Sequence, residues 1–461
     1  MGIMGKWERC IGGRSKPMSR QRTQEALRRA PGDSEVDRKE KPWAARWKAS
    51  LIATCLVALP ALVFLAVRGG MPSAVTVLVL VRGTAPTSPG QGGGAGAVRA
   101  MAVAKEEEEE CDVSRGRWER EPKGPSYTNV TCSTVADYVN CQKFGKDPGY
   151  LYWRWRPDGC ELPRFSPATF LAAVRGKRLA FIGDSLARNH MESLLCLLSQ
   201  AEAPTDMHAG AFVDAFRRWR FPEHDFTLMA VWTEFLVHAV PVVAGRRTGP
   251  FDVHLDRINA DWTRRLPELD YAVISNGNWF FRANYLWEGG RRVGCVDCGE
   301  PGLAHLPMAY AVGRVVGAAL DAIAGCADCK SELVALVRTY TPDHFENGSW
   351  FTGGYCNRTR PLEEEEVSSG AIAWELRAAQ IEEVRKAREK TTTTTTRRFG
   401  VVDVTPAMMA RADGHPGEHH RRWRGRNAND CLHLCLPGPI DMWNDVLLRR
   451  LAELSPPSDA R

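Results

Sequence analysis

The sequence predicts an α/β fold, a mostly parallel sheet with helices on both faces, set behind an N-terminal membrane anchor. Three observations carry this. From about residue 165 onward, short apolar runs of strand type alternate with longer stretches of helical spacing. Near the N-terminus, a long uncharged run follows a basic stretch. Twelve of the fourteen cysteines lie beyond residue 110, an even set on the far side of that run.

The chain has 461 residues, enough for one large domain or two ordinary ones plus extensions. Its net charge is +6, and Lys and Arg concentrate in residues 1–48, which have few apolar residues and no periodicity. That stretch reads as a disordered basic tail. It has neither the aromatic interleaving nor the folded module of a nucleic-acid binder, so no nucleic-acid partner is expected. Residues 49–67 carry no charge and are just long enough to span a bilayer, and the apolar piece from Met71 to Val81 extends the hydrophobic segment. A cleaved signal peptide would have a short charged region, unlike the one here. With the basic residues on its N-terminal side, that side stays cytosolic and the bulk of the chain lies beyond the membrane. Residues 82–110, rich in Gly, Pro and Ala and ending in Glu106–Glu110, read as a flexible stem.

A Cys- and Trp-rich part, 111–165, comes next, followed by the catalytic region, 166–461. The twelve cysteines are Cys111, Cys132, Cys141, Cys160, Cys196, Cys295, Cys298, Cys326, Cys329, Cys356, Cys431 and Cys435. Beyond a membrane anchor they imply an oxidising compartment and disulfides. Cys295/Cys298 and Cys326/Cys329 have the spacing of a zinc site, but such a compartment favours disulfides over thiolates, so no metal is expected. Asn129, Asn347 and Asn357 each head an acceptor triplet for N-glycans.

In chain order, Leu179–Ile182 reads as a strand and Leu186–Leu198 as a helix. Phe226–Leu236 and Tyr271–Ser275 read as strands, Leu306–Ala324 as a helix and Leu333–Tyr340 as a strand. Ala371–Lys390 is a charged amphipathic helix, Phe399–Thr405 a further strand and Ile440–Leu454 a closing helix. Residues 361–370 and the Thr391–Thr396 run suggest a mobile insertion near 361–398.

The first of these strands ends in Gly183-Asp184-Ser185, at a strand-to-helix turn. There the free N–H groups and dipole of the new helix favour negative charge, as an oxyanion beside a serine nucleophile requires. A bare Gly-Asp-Ser triplet more often only caps a helix, so the reading needs a partner. Asp430-Cys-Leu-His433 supplies one. At i and i+3 of a helical turn, Asp430 can orient the imidazole of His433 toward Ser185. Histidine suits the task because it accepts and returns a proton near neutrality. His344 and His190 compete as bases and rank below His433.

Gly183-Asp-Ser-Leu-x-Arg-Asn189 together with Asp430-Cys-x-His433-x-Cys-Leu-Pro-Gly438 resembles the plant trichome birefringence-like proteins. The resemblance spans nearly all of 111–454. It includes Cys111-Asp-x5-Trp118, Tyr152-Trp-Arg-Trp-Arg-Pro-Asp-Gly-Cys160 with Leu-Pro-Arg-Phe165, Thr341-Pro-Asp-His-Phe345 and Gly353-Gly-Tyr-Cys356. It implies a three-layer sandwich similar to the GDSL/SGNH esterases, stapled by disulfides. It also implies polysaccharide O-acetyltransferase activity, with residence in the Golgi membrane as a single-pass type II protein whose catalytic region is lumenal. Ser185 would carry the acetyl group, His433 would be the base and Asp430 its orienter. Backbone N–H groups at Ser185, with Arg188 or Asn189, would lie near the oxyanion, Asn278 would offer a further oxyanion or substrate contact, and Asp184 would shape the turn. The implied disulfides are Cys111–Cys160 and Cys132–Cys196, with Cys141 and Cys356 tied to Cys431 and Cys435 in an order left open. Ser275–Phe281, Gly294–Cys298 and Cys435–Asp441 look closest to the branch acting on xyloglucan. Xylan or another wall polysaccharide, and hydrolysis of acetyl esters by the same triad, are the alternatives. Partners are the polysaccharide acceptor and an acetyl donor, acetyl-CoA or another, with no bound cofactor. Trp153, Trp155 and Trp279 are candidate sugar-stacking residues, though a Trp in a large domain is more often core.

Overall fold

A computed structural model describes residues 111–208, 216–245, 248–368, 371–391, 396–421 and 429–455. The expected tail, anchor and stem lie outside them. Among the described residues, no helix is long and apolar enough to cross a membrane.

In chain order the elements are β1 (Gly116–Arg120), β2 (Trp153–Pro157), α1 (Pro167–Ala173), β3 (Arg178–Gly183), α2 (Ser185–Leu198), β4 (Thr205–Asp206), β5 (Phe216–Phe221), β6 (Phe226–Trp232), β7 (Val237–Pro241), β8 (Phe251–Ile258) and α3 (Ala260–Thr263). They continue with β9 (Tyr271–Ser275), β10 (Asn284–Glu288), β11 (Arg291–Val296), α4 (Met308–Ala324), β12 (Val334–Arg338), α5 (Ile372–Thr391), β13 (Arg398–Val402), α6 (Thr405–Met409) and α7 (Met442–Leu454). The main sheet runs β13-β12-β9-β3-β6-β5-β4. Its first five strands are parallel, and β5 and β4 close one edge antiparallel.

The sheet is buried on both faces, which is why its strands read as continuous apolar runs. Side chains still alternate between the two sides. Leu179 and Phe181 of β3, Val273 of β9 and Leu336 of β12 point into a core shared with α1, α2 and α7. Their neighbours Ala180, Ile182, Ile274 and Val337 point into the opposite core, under α4 and α5. The result is three layers, helix, sheet and helix. A four-stranded sheet, β11-β10-β8-β7, backs the second core with Val253, Leu255 and Leu286. The sequence did not reveal it. Its strands bury one face only, so Asp252 and His254 interrupt the apolar residues. The strand expected to reach Leu236 stops at Trp232, where the Thr233 N–H donates to the Gly183 carbonyl at 2.8 Å and turns the chain.

Residues 111–165 have no core of their own. Val113, Tyr127, Val139, Trp155 and Phe165 join the cluster of α2 and α7. Trp118 of β1 and Trp155 of β2 are cross-strand partners, edge to face at 5.7 Å. Disulfides Cys132–Cys196 and Cys141–Cys435 fasten this part to the catalytic region, and Cys111–Cys160 closes it on itself. The pairing left open resolves as Cys141–Cys435 and Cys356–Cys431. The two short-spaced pairs, Cys295–Cys298 and Cys326–Cys329, are disulfides as well. Sulfurs of Cys295 and Cys298 lie near His305, but as a disulfide they offer no thiolate for zinc.

In the region expected to be a mobile insertion, α5 packs along α4 and buries Ala373, Leu376, Gln380 and Val384. Gln380 ties two strand ends together: its Oε1 accepts from the Tyr340 N–H at 2.7 Å, and its Nε2 donates to the Asn276 carbonyl at 3.1 Å. Residues 369–370 and 392–395 lie outside the described residues.

Asp445, in the first turn of α7, receives the Phe165 N–H at 2.7 Å, and burial raises its pKa to about 7. A carboxyl whose folded pKa lies above its unfolded value binds more protons when folded. Its contribution is therefore full in acid and is lost as pH rises through about 7. Asp445→Asn keeps the acceptor and removes the titration. The variant should match the parent in thermal stability near pH 4 and exceed it near pH 8, by an amount on the order of 4 kcal/mol at full ionisation. Equal melting temperatures at both pH values would refute this account of the site.

Candidate active site

Ser185 is the first residue of α2. The sheet places it at the carboxyl end of β3, where ligands bind in folds of this type. Gly183 before it has φ 154°, and a Cβ there would meet the Ser275 carbonyl oxygen at 2.0 Å, so only glycine lets β3 approach β9 at the turn. Asp184 is the helix cap: its Oδ1 accepts from the Leu186 N–H at 3.0 Å. The capping that a Gly-Asp-Ser triplet signifies is thus done by the aspartate. Ser185, half-buried, keeps its hydroxyl for other use. Burial raises the Asp184 pKa against the pull of Arg338 and of the Leu186 hydrogen bond.

His433 comes to this turn from a loop near the C-terminus. Asp430 shapes the loop: one oxygen, Oδ1, accepts from the N–H groups of Leu432 (3.1 Å) and His433 (2.9 Å). The other, Oδ2, lies 2.7 Å from His433 Nδ1. Burial opposes ionisation of Asp430, but the His433 charge and these hydrogen bonds outweigh it and bring the pKa to about 2. The carboxylate therefore stays charged and fixes the Nδ1–H tautomer, leaving Nε2 as the base. His433 Nε2 is buried and has no hydrogen-bond partner among the described residues. Asp184, next to Ser185, lies within the electrostatic reach of His433.

Asn189 brings the two segments together. It sits one helical turn beyond Ser185, is fully buried, and clamps the residue after His433. Its Oδ1 accepts from the Leu434 N–H at 2.8 Å, and its Nδ2 donates to the Leu434 carbonyl at 3.2 Å. The expectation that placed Asn189 near the oxyanion is corrected accordingly, since both polar ends of its amide are engaged by the backbone. Asn189→Ala should cost about 1–3 kcal/mol of stability. It should also lower kcat by more than any change in KM, because the base loses its register; a reduced melting temperature with unchanged kcat would leave Asn189 a purely structural role.

Arg188 stands three residues along α2 from Ser185. Its guanidinium lies between the rings of Tyr138 (5.1 Å) and Trp232 (5.5 Å). Tyr138 packs edge-on against the His433 ring at 5.3 Å and donates from its hydroxyl to Glu192 at 2.6 Å. Burial raises the Glu192 pKa against the effect of Arg188 and this bond. One wall of the site therefore comes from the Cys- and Trp-rich part of the chain, which sequence reasoning did not connect to the base. Asn278 opens a short 3-10 turn beyond β9, and its buried side chain lies by the Asp184 carboxylate and draws that pKa down against the effect of burial. The preceding Gly277, φ 143°, leaves room for the Tyr340 ring.

Two further residues escaped the sequence. Arg338, at the end of β12, is buried behind the turn, with Nη1 donating to the Thr339 carbonyl and Thr341 Oγ1, Nη2 donating to Ser275 Oγ and its guanidinium over Trp443. A charged residue closing the apolar run Val334–Val337 was the available signal. His415 donates from Nδ1 to the His433 carbonyl at 2.8 Å and meets His344 through Nε2 at 2.7 Å. His344 thus supports the loop from behind, and His190 packs between Phe181 and Trp443. Of the three candidate stacking residues, Trp155 is buried, while Trp153 and Trp279 are half-buried. Asn347 and Asn357 are exposed and Asn129 half-exposed.

Comparison with known proteins adds the following. A family model described as the GDSL/SGNH-like acyl-esterase family found in Pmr5 and Cas1p matches residues 162–450, and one described as the PMR5 N-terminal domain matches 109–161. The chain is 47% identical over 343 residues to xyloglucan O-acetyltransferase 3 of Populus trichocarpa, covering 74% of this chain and 85% of that protein. It is 43% identical over 348 residues to xyloglucan O-acetyltransferase 2 of Arabidopsis thaliana, covering 75% and 83%. It is 40% identical over 347 residues to trichome birefringence-like protein 20 of Arabidopsis thaliana, covering 74% and 72%.

Proposed function

Because this chain belongs to the GDSL/SGNH-like acyl-esterase family found in Pmr5 and Cas1p, we propose that it moves acetyl groups onto hydroxyls of a plant wall polysaccharide, xyloglucan in the first instance, through an acetyl-serine. The observation that carries this is the Asp430–His433 pair, whose buried Nε2 is left for a serine at the head of a helix.

In the first half-reaction His433 Nε2 takes the proton of Ser185 as its Oγ attacks the acetyl carbonyl of the donor. The imidazolium that forms is stabilised by the Asp430 carboxylate. Negative charge gathers on the carbonyl oxygen, where the Ser185 N–H and Asn278 Nδ2 are the donors at hand. His433 then protonates the leaving group, and acetyl-Ser185 remains. In the second half a sugar hydroxyl enters, gives its proton to His433 and takes the acetyl group, and His433 returns the proton to Ser185 Oγ as the acetyl–Oγ bond breaks. Water competes for the same intermediate, so transfer depends on a wall that holds sugar better than water. Tyr138, Arg188, Trp232 and Trp279 supply aromatic and guanidinium surface at that place.

Six disulfides suit an oxidising lumen. With the apolar run 49–67 as a signal-anchor, the catalytic region would lie on the lumenal side of the Golgi membrane. The chemistry as written needs an acetyl donor and no resident cofactor.

The test is incubation of the lumenal region with an acetyl donor and deacetylated xyloglucan or xylan oligosaccharides, read by mass spectrometry. Mass gain of one acetyl group on xyloglucan alone is the expected result. Gain on xylan alone would keep the mechanism and overturn the acceptor. Loss of acetyl from pre-acetylated oligosaccharides without any gain would make this an esterase.

A further inference from the structure

The wall beside His433 continues past the catalytic turn. Ring and guanidinium contacts run from His433 through Tyr138, Arg188 and Trp232 to Trp279, the last two rings edge to face at 6.4 Å. Arg282 comes next. Its guanidinium lies 4.2 Å from the centre of the Trp279 ring and 5.5 Å from that of Phe351. Burial lowers its pKa against the pull of Asp184 and Glu234, so Arg282 stands within electrostatic reach of the residue before the nucleophile.

Phe351 reaches this place from a different part of the chain. With Trp350 it occupies the tip of a loop closed by two hydrogen bonds between Glu346 and Tyr355, of 2.7 and 3.0 Å. The loop stands on the segment that carries the base. The His344 N–H donates to the Cys431 carbonyl at 3.0 Å, and the Cys356–Cys431 disulfide holds the other side. At the tip Trp350 is 45% and Phe351 57% exposed, so Arg282 covers only part of the Phe351 ring.

Arg282 is a half-buried cation whose donors the fold does not spend. None of its guanidinium nitrogens has a hydrogen-bond partner among the described residues, and of the three only Nε is buried. Contact with two rings orients the planar fork while leaving Nη1 and Nη2 to donate elsewhere. Oriented donors next to an open aromatic ring match a saccharide, whose oxygens accept and whose C–H faces pack on rings. Asp184 and Glu234 nearby oppose a phosphate or carboxylate group, such as an anionic donor would bring, and favour a neutral chain.

We propose that Arg282 and Phe351 bind the neutral acceptor chain beyond the sugar that is acetylated. Arg282 donates from Nη1 and Nη2 to its oxygens, and Phe351 packs against one of its C–H faces. The inference rests on the acetyltransferase reading and adds to it residues that hold sugar where water would otherwise compete.

The test separates the two half-reactions of the full chain. In Arg282→Lys the KM for xyloglucan oligosaccharides should rise about tenfold to a hundredfold, the value of hydrogen bonds from a charged donor. The rate at which the donor acetylates Ser185, read by intact mass after rapid mixing, should change far less. Phe351→Ala, at an exposed loop tip, should raise the same KM about threefold without loss of melting temperature. Slowing of acetyl-enzyme formation as large as the rise in KM would assign Arg282 to the donor and overturn the proposal. An unchanged KM in either variant would overturn it too. Calorimetric titration of the same oligosaccharides into protein carrying Ser185→Ala, alone and with each substitution, repeats the comparison without turnover. A parent that transfers no acetyl group would end the acetyltransferase reading, yet weaker binding with Arg282→Lys would still support the site. Equal binding, or none in the reference protein, would overturn it.

Discussion

Ser185→Ala is expected to lower acetyl transfer by roughly 10⁴- to 10⁶-fold, the scale seen when a triad nucleophile is removed. The fold should be indifferent to the change. Asp184, not Ser185, caps α2, and the backbone turn is set by Gly183 and by strand pairing. Intact-mass measurement after mixing with donor should find an acetylated adduct on the parent protein and none on the variant, with equal melting temperatures. An adduct persisting on the variant would move the acetyl group to another residue, and undiminished transfer would end the acyl-serine mechanism.

Asp430→Asn should cost about 10³- to 10⁴-fold in kcat while leaving the loop in place. An asparagine can still accept from the N–H groups of Leu432 and His433 through its oxygen. Its amide nitrogen would then stand where Oδ2 now meets His433 Nδ1 at 2.7 Å. Facing a donor, Nδ1 must accept, and the imidazole proton moves to Nε2, the atom that has to receive the serine proton. The parent and variant should differ in the rate of acetyl-enzyme formation, followed by rapid mixing, and hardly in acceptor affinity. A variant within tenfold of the parent would show that Asp430 serves the loop's shape more than the base.

The parts of the fold legible in the sequence are those whose physics is local. β3, β9 and β12 are buried on both faces, so their residues read as unbroken apolar runs. The small sheet buries one face and turns the half-buried His254 and Asp252 to the other, so its alternating pattern was too weak to separate from loop. The site divides in the same way. Ser185, Asp430 and His433 stand in short motifs whose spacing carries their chemistry. Asn189 belongs to such a motif too, yet its partner, Leu434, lies 245 residues away, and no local pattern reveals that pairing. Tyr138 and His415 reach His433 only through tertiary packing and hydrogen bonding.

The two disulfides that flank the base also bear on timing. Cys431 is joined to Cys356 and Cys435 to Cys141, the latter across 294 residues. A ribosome releases Ser185, its helix and most of the main sheet long before it releases residues 430–435. Through that interval the chain has a nucleophile without a base, and it cannot acylate itself or hydrolyse a donor. The base arrives only with the final stretch of synthesis, and the two disulfides then tie its loop to Cys141 and Cys356, which were released earlier.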